Sequence, residues 1–285
     1  MRLDAHHHVW DLDVRPQPWI GPDEAPVIGR TFTRSDWTAA AAGTGVEAAV
    51  VVQTVPVAAE TPELLDLAAA DPRVLGVVGW IPGERSPEDE IAALLAHPHA
   101  GWLVGLRDLT QFRADRAWLG SDAARARSAA AGAAGLAVDL LVEPDQIASA
   151  TELVHRTPEV RYVLDHLGKP SLDAMPARDW GRLVAGLAEA PNVACKVSGT
   201  ATLTADPDVP ALPAYLAEAA SRFGADRLMF GSDWPVMLLG GASYADQVRR
   251  VEDAARAVGL SDAEADALWG GTAARWYRLP AGGAA

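Results

Sequence analysis

Eight times along this chain a short apolar, β-branched run gives way to an Ala- and Leu-rich stretch with helical spacing, and that rhythm leaves few folds open. The strand-like runs are Leu3–Val9, Ala48–Gln53, Val74–Trp80, Leu103–Arg107, Leu136–Val142, Val160–Asp165, Val193–Val197 and Leu228–Ser232. Between and after them lie helical patterns at 34–42, 62–70, 87–96, 122–134, 144–155, 177–189, 211–223 and 244–258. Strands that are apolar almost throughout need cover on both faces, which parallel sheets provide and half-exposed antiparallel sheets do not. Eight β-then-α units within 285 residues fit an α/β fold of the (β/α)8 TIM-like barrel type better than an open doubly wound sheet. No Gly-x-Gly-x-x-Gly follows the first run, which removes the main support for a dinucleotide site. The reading is one barrel domain over residues 1–279, two short closing helices at 261–269 and 272–277, and a disordered tail at 280–285.

Composition narrows the partners. A net charge of −14 opposes nucleic-acid binding, since phosphates call for a basic surface. No apolar run approaches the ~18 residues that a membrane helix needs, so no membrane partner is expected. The opening residues lack the apolar stretch of a signal peptide. The single cysteine, Cys195, excludes an internal disulfide framework and fits a reducing cytoplasm. Nothing in the chain fixes an oligomeric state.

In a barrel of this kind chemistry sits at the C-terminal ends of the strands. The first strand carries Asp4-Ala5-His6-His7-His8-Val9-Trp10. If its side chains alternate strictly, His6 and His8 face the barrel centre with Asp4 below them, and His7 faces away. Later strands end in Gln53, Trp80, Arg107, Asp165-His166 and Lys196, and the last in Ser232-Asp233-Trp234. Imidazoles from His6, His8 and His166 with the Asp233 carboxylate suit Zn²⁺ or a similar ion. Without metal, Asp233 is still placed to act as general base, with Arg107 or Lys196 facing a developing oxyanion. Gln53 and Lys196 are candidate hydrogen-bonding partners for a substrate, and Trp80 and Trp234 candidate stacking surfaces. Asp139, inside an apolar strand, reads as buried with a partner. Lys169, in Gly168-Lys169-Pro170, reads as holding its loop. The long loop 11–33, with Trp19 in it, reads as a lid.

The segments Asp-Ala-His-His-His-Val-Trp, Val-Leu-Asp-His-Leu-Gly-Lys-Pro, Cys-Lys-Val-Ser-Gly and Met-Phe-Gly-Ser-Asp-Trp-Pro-Val together resemble the amidohydrolase superfamily, in its branch of sugar-acid and aromatic-acid lactonases. The resemblance runs from Leu3 to about Leu279. It implies an amidohydrolase-type barrel that adds water to a small-molecule lactone. In this chain Asp233 and His166 would be catalytic, and His6, His8, His166 and Asp233 would be the metal positions. Gln53, Trp80, Arg107, Lys196 and Trp234 would meet the substrate. It implies at most one divalent ion, zinc before others, and also admits a centre that works without one. The branch commonly has Arg-His after the fourth strand, where this chain has Arg107-Asp108. The alternative from the same resemblance is a metal-dependent decarboxylase of an aromatic or unsaturated acid.

Overall fold

Hydrogen bonds link the eight apolar runs side by side in sequence order, every pair parallel. The computed structural model describes residues 1–206 and 208–280. Its strands are β1 (Arg2–His7), β2 (Val46–Val52), β3 (Val74–Gly79), β4 (Leu103–Asp108), β5 (Ala137–Leu140), β6 (Tyr162–Leu164), β7 (Val193–Val197) and β8 (Leu228–Phe230). A parallel bridge between His7 and Trp234 joins the last strand back to the first and nearly closes the barrel. Helices return the chain after each strand, among them 34–41, 60–69, 122–133, 212–223 and 244–258. Their ends follow from local chemistry. Ser243 and Asp246 form a reciprocal cap at the start of 244–258, and Gly259 ends it with φ 76°. The stretch expected as one helix over 177–189 divides at Val184 into 177–183 and 185–189. Among the described residues no helix is long and apolar enough to cross a membrane. The expected tail falls, beyond Pro280, outside the described residues.

Two apolar layers sandwich the strands. Trp37, Leu65, Val154, Trp180 and Leu216 from the helices pack on the outer faces of the strands. The inner layer joins Leu3, Ala5, Val50, Val52, Val163 and Ala194 to Ala273, Tyr277 and Leu279, so residues 272–279 seal one mouth of the barrel.

The first strand departs from strict alternation, and this departure builds the site. Asp4 pairs with Ala49 and His7 with Val51, so three steps on β1 face two on β2. The extra residue is a bulge that turns one more side chain to the inner face. His6 and His8 therefore face inward as expected, and His7 packs outward on Trp37 with ring centroids 5.0 Å apart. Asp4 does not lie beneath the histidines. It accepts from Ser232 N at 2.8 Å and from Tyr244 Oη at 2.9 Å, in the helix layer, because the parity change falls between it and His6.

Candidate active site

The floor of the site is a ring of buried nitrogen and oxygen atoms from β1, β6 and β8. His6 Nε2 lies 3.2 Å from His8 Nε2, and Asp233 Oδ1 lies 3.8 and 3.4 Å from those two atoms. His166 Nε2 stands 3.9 Å from the same Asp233 oxygen. Second partners fix the rings. His8 Nδ1 donates to Val52 O at 2.7 Å, which leaves its Nε2 lone pair toward the centre, and His166 Nδ1 meets Ser198 Oγ at 2.8 Å.

Backbone strain sets two of these groups. His166, Leu167, Gly168 and Lys169 all have positive φ (51°, 57°, 70° and 55°), and Asp233 has φ 60°. Such a conformation costs a non-glycine residue about 1–2 kcal/mol and persists where neighbours over-determine it. Trp180 Nε1 donates to Leu167 O at 2.7 Å, and Asp233 N donates to His6 O at 2.8 Å. Gly199 leaves room for the His166 ring: a Cβ there would come within 2.8 Å of Nδ1.

Below the ring lies a buried charge network. Lys196 Nζ is 2.6 Å from Asp139 Oδ2, 2.9 Å from Asp165 Oδ1 and 3.1 Å from His6 Nδ1. Arg107 Nη1 donates to Asp165 Oδ2 at 3.1 Å and to His6 Nε2 at 3.2 Å, while its Nη2 donates to Gln53 O at 2.6 Å. Tyr277 Oη donates to Asp139 from the sealed mouth. Burial, and next the Lys196 charge, push His6 well below the usual imidazole range. Burial pushes His166 down to about 4. Burial alone would raise Asp233, but the rings of His166, His8 and His6 outweigh it and hold the carboxyl well below its ordinary value. At neutral pH the site therefore offers a carboxylate beside the neutral imidazoles of His6 and His166. Above it opens a cavity of about 910 Å³ whose wall includes His8, Arg107, His166 and Asp233, along with Trp19 and Phe112.

Residues 3–279 match the amidohydrolase family profile. The chain belongs to the amidohydrolase family. It is similar to an L-fucono-1,5-lactonase of Burkholderia ambifaria, 34% identical over 283 residues that cover 98% of this chain and 96% of the relative. An L-fucono-1,5-lactonase of Burkholderia multivorans is 37% identical over 297 residues, covering 98% and 97%. Among solved structures, an amidohydrolase from Burkholderia multivorans with bound zinc superposes with a TM-score of 0.88 at 34% identity, covering 98% of this chain and 100% of that one. Decarboxylases of 5-carboxyvanillate and dihydroxybenzoic acid are 14–15% identical and share the fold alone.

In this amidohydrolase His6, His8 and Asp233 come together as one candidate ligand group, while His166 groups with His6 and Asp165 and stands 3.9 Å from Asp233. Arg107 joins His8, His166 and Asp233 on the cavity wall. The other expected substrate contacts lie elsewhere. Gln53 and Lys196 are fully buried beneath the floor, Gln53 bracing β4 through an Nε2 bond of 3.1 Å to Arg107 O. Trp234 is buried against Phe32, with ring centroids 5.3 Å apart. Trp80 lies outside the cavity wall and donates to Asp108 Oδ1 at 3.1 Å. Each does end its strand, but side-chain depth sends it under or behind the cavity. Asp139 is buried with Lys196 and Tyr277, as its apolar strand suggests. Cavity residues missed in the sequence come from loops: Gln111, Phe112, Glu143 and Leu239. From the loop 11–33, Trp19 and Glu24 line the cavity.

His6, His8 and Asp233 fit three corners of a tetrahedral ion's ligand set. Zinc bonds of about 2.0–2.1 Å separate neighbouring ligand atoms by about 3.3 Å, close to the 3.2 and 3.4 Å spacings around His8 Nε2.

Acid should destabilise this amidohydrolase through its buried histidines. Burial pushes His7 down to about 3 and His166 to about 4, below the 6.5 of an unfolded histidine. The unfolded chain then binds more protons than the native one. The stability they contribute is complete above pH 6.5 and is lost as pH falls toward 4, at about 1.4 kcal/mol per pH unit for each. Asp139, raised by burial from 3.8 to about 6, works in the opposite direction between those values, leaving the histidines in the majority. Urea midpoints measured on chelator-treated protein should fall from pH 7 to pH 5; a rise would contradict the assignment.

Proposed function

We propose that this chain hydrolyses the lactone ring of a sugar acid, with residues 1–279 acting as one catalytic barrel domain. The observation that carries the proposal is the Asp233 carboxylate, set among His6, His8 and His166 at the floor of the cavity. Full-length likeness to two L-fucono-1,5-lactonases supports the substrate class.

Asp233 takes a proton from water as the water oxygen adds to the lactone carbonyl. Arg107, on the cavity wall, faces the oxygen that gains negative charge. The tetrahedral centre collapses, the bond to the ring oxygen breaks, and the proton held by Asp233 passes to that oxygen. His166, held by Ser198, orients the water and the Asp233 carboxylate. One water is consumed, and the product is the open hydroxy acid. His6, His8, His166 and Asp233 would hold a zinc ion, and a bound zinc would polarise the carbonyl and lower the pKa of the attacking water. The lone cysteine, buried at β7, supports a cytoplasmic location.

The test is release of acid in a pH-indicator assay with L-fucono-1,5-lactone and other aldonolactones. Absence of turnover by folded protein, with and without zinc, would refute the reading.

Arg107 sets the terms on which metal enters. Its guanidinium donates to His6 Nε2, the lone pair that an ion would use, and it cannot give up its charge. Arg107→Met should therefore tighten zinc binding by about tenfold or more, since a hydrogen-bond competitor and a nearby positive charge are both removed. Competition against a chromophoric chelator measures it, and unchanged affinity would count against the competition.

A further inference from the structure

The mechanism above leaves Lys169 and Gln111 unused, yet both lie on the cavity wall. Lys169 ends the left-handed run that begins at His166, so the turn that orients the histidine also directs the lysine stem. Its ammonium donates to Gln111 Oε1. Among the described residues no carboxylate forms an ion pair with it. An ammonium has three N–H donors, so two remain for the cavity. Gln111, with its Oε1 engaged, keeps both amide hydrogens. Its backbone is rigid, because its N–H donates to Leu141 O at 3.1 Å and its carbonyl accepts from Arg116 Nη1 at 2.7 Å. The wall also includes apolar Leu203, Val236 and Leu239 and the polar Thr54, Thr202, Glu24, Glu143 and Asp145. A half-buried ammonium with spare donors gains most from a ligand that supplies acceptor oxygens.

We propose that Lys169, with Gln111 beside it, binds ring hydroxyls of the lactone and so selects sugar lactones over bare cyclic esters. This deepens the lactonase reading and rests on it. It also revises the expectation that Lys169 only secures its loop. A bond made equally to substrate and transition state appears in KM and not in kcat.

The test compares L-fucono-1,5-lactone with δ-valerolactone, which has the same ring size and no hydroxyls. Lys169→Met should raise KM for the sugar lactone about tenfold or more, with kcat within about threefold of wild type. It should leave kcat/KM for δ-valerolactone unchanged. Lys169→Arg should recover part of the loss, and Gln111→Leu should raise KM by a smaller factor. Lys169→Gln serves as the second variant if the methionine protein folds poorly, with thermal midpoints as the control. Equal proportional losses on both lactones would overturn the proposal, as would a loss in kcat alone or no loss at all. Failure of the wild type to open either lactone would instead reject the lactonase reading, so the two failures are distinguishable.

Discussion

Asp233→Asn should lower kcat for lactone opening by about 10²–10⁴-fold, the usual contribution of a positioned general base. The substitution keeps the size and planarity of the group, and asparagine tolerates the positive φ of this position better than most residues. What it removes is the ability to take a proton from water and return it to the ring oxygen. Thermal midpoint and circular dichroism should stay near wild type, because the Asp233 backbone bond to His6 O does not depend on the side chain. The measurement belongs first on chelated enzyme, so that lost proton transfer is not confused with lost metal affinity. A fall of less than tenfold would move the base elsewhere, and His166, 3.9 Å from the same carboxylate, is the next group to substitute.

Lys196→Met should cost about 3–5 kcal/mol of folding stability, the cost of breaking a buried ion pair from one side. The ammonium stands between Asp139 and Asp165, both fully buried. Without it the two carboxyl groups face each other across the barrel centre with Arg107 and His6 left beside Asp165 and Tyr277 beside Asp139. Asp139, already raised to about 6, would be driven further up and take a proton near neutrality, which limits the loss. The double variant Lys196→Met, Asp139→Leu should recover part of it, since replacing a whole buried pair costs less than orphaning one member. Urea unfolding at pH 7 gives the number, and a loss under about 1 kcal/mol would show that the network is not under electrostatic strain.

The barrel was legible because its signal is repeated. Eight apolar runs with helical stretches between them survive an error of two residues at any boundary, so the split at Val184 changes nothing in the architecture. His6, His8, His166 and Asp233 were legible because each ends a strand, and strand ends share one mouth. What the rule of strand ends lacks is depth. Gln53, Lys196 and Trp234 satisfy it and still lie below or behind the cavity, since burial of a side chain depends on neighbours far away in sequence. The fate of Asp4 turned on a one-residue bulge, which has no local mark in Asp-Ala-His-His-His. Gln111, Phe112 and Glu143 were illegible for a different reason: loop residues carry no periodicity from which a direction can be read.

Tyr277 has a consequence for the order in which this protein comes into being. Its hydroxyl completes the acceptor-donor chain from Asp139 through Lys196 to His6. It belongs to residues 272–279, which follow every strand in chain order. During synthesis all eight strands can therefore emerge from the ribosome before the polar centre of the barrel has its last partner. A nascent chain halted just beyond Asp233 would hold every group of the catalytic ring, over a charged core still open to water from beneath. Activity should thus arise in one late step, when the final helix docks, and not grow strand by strand.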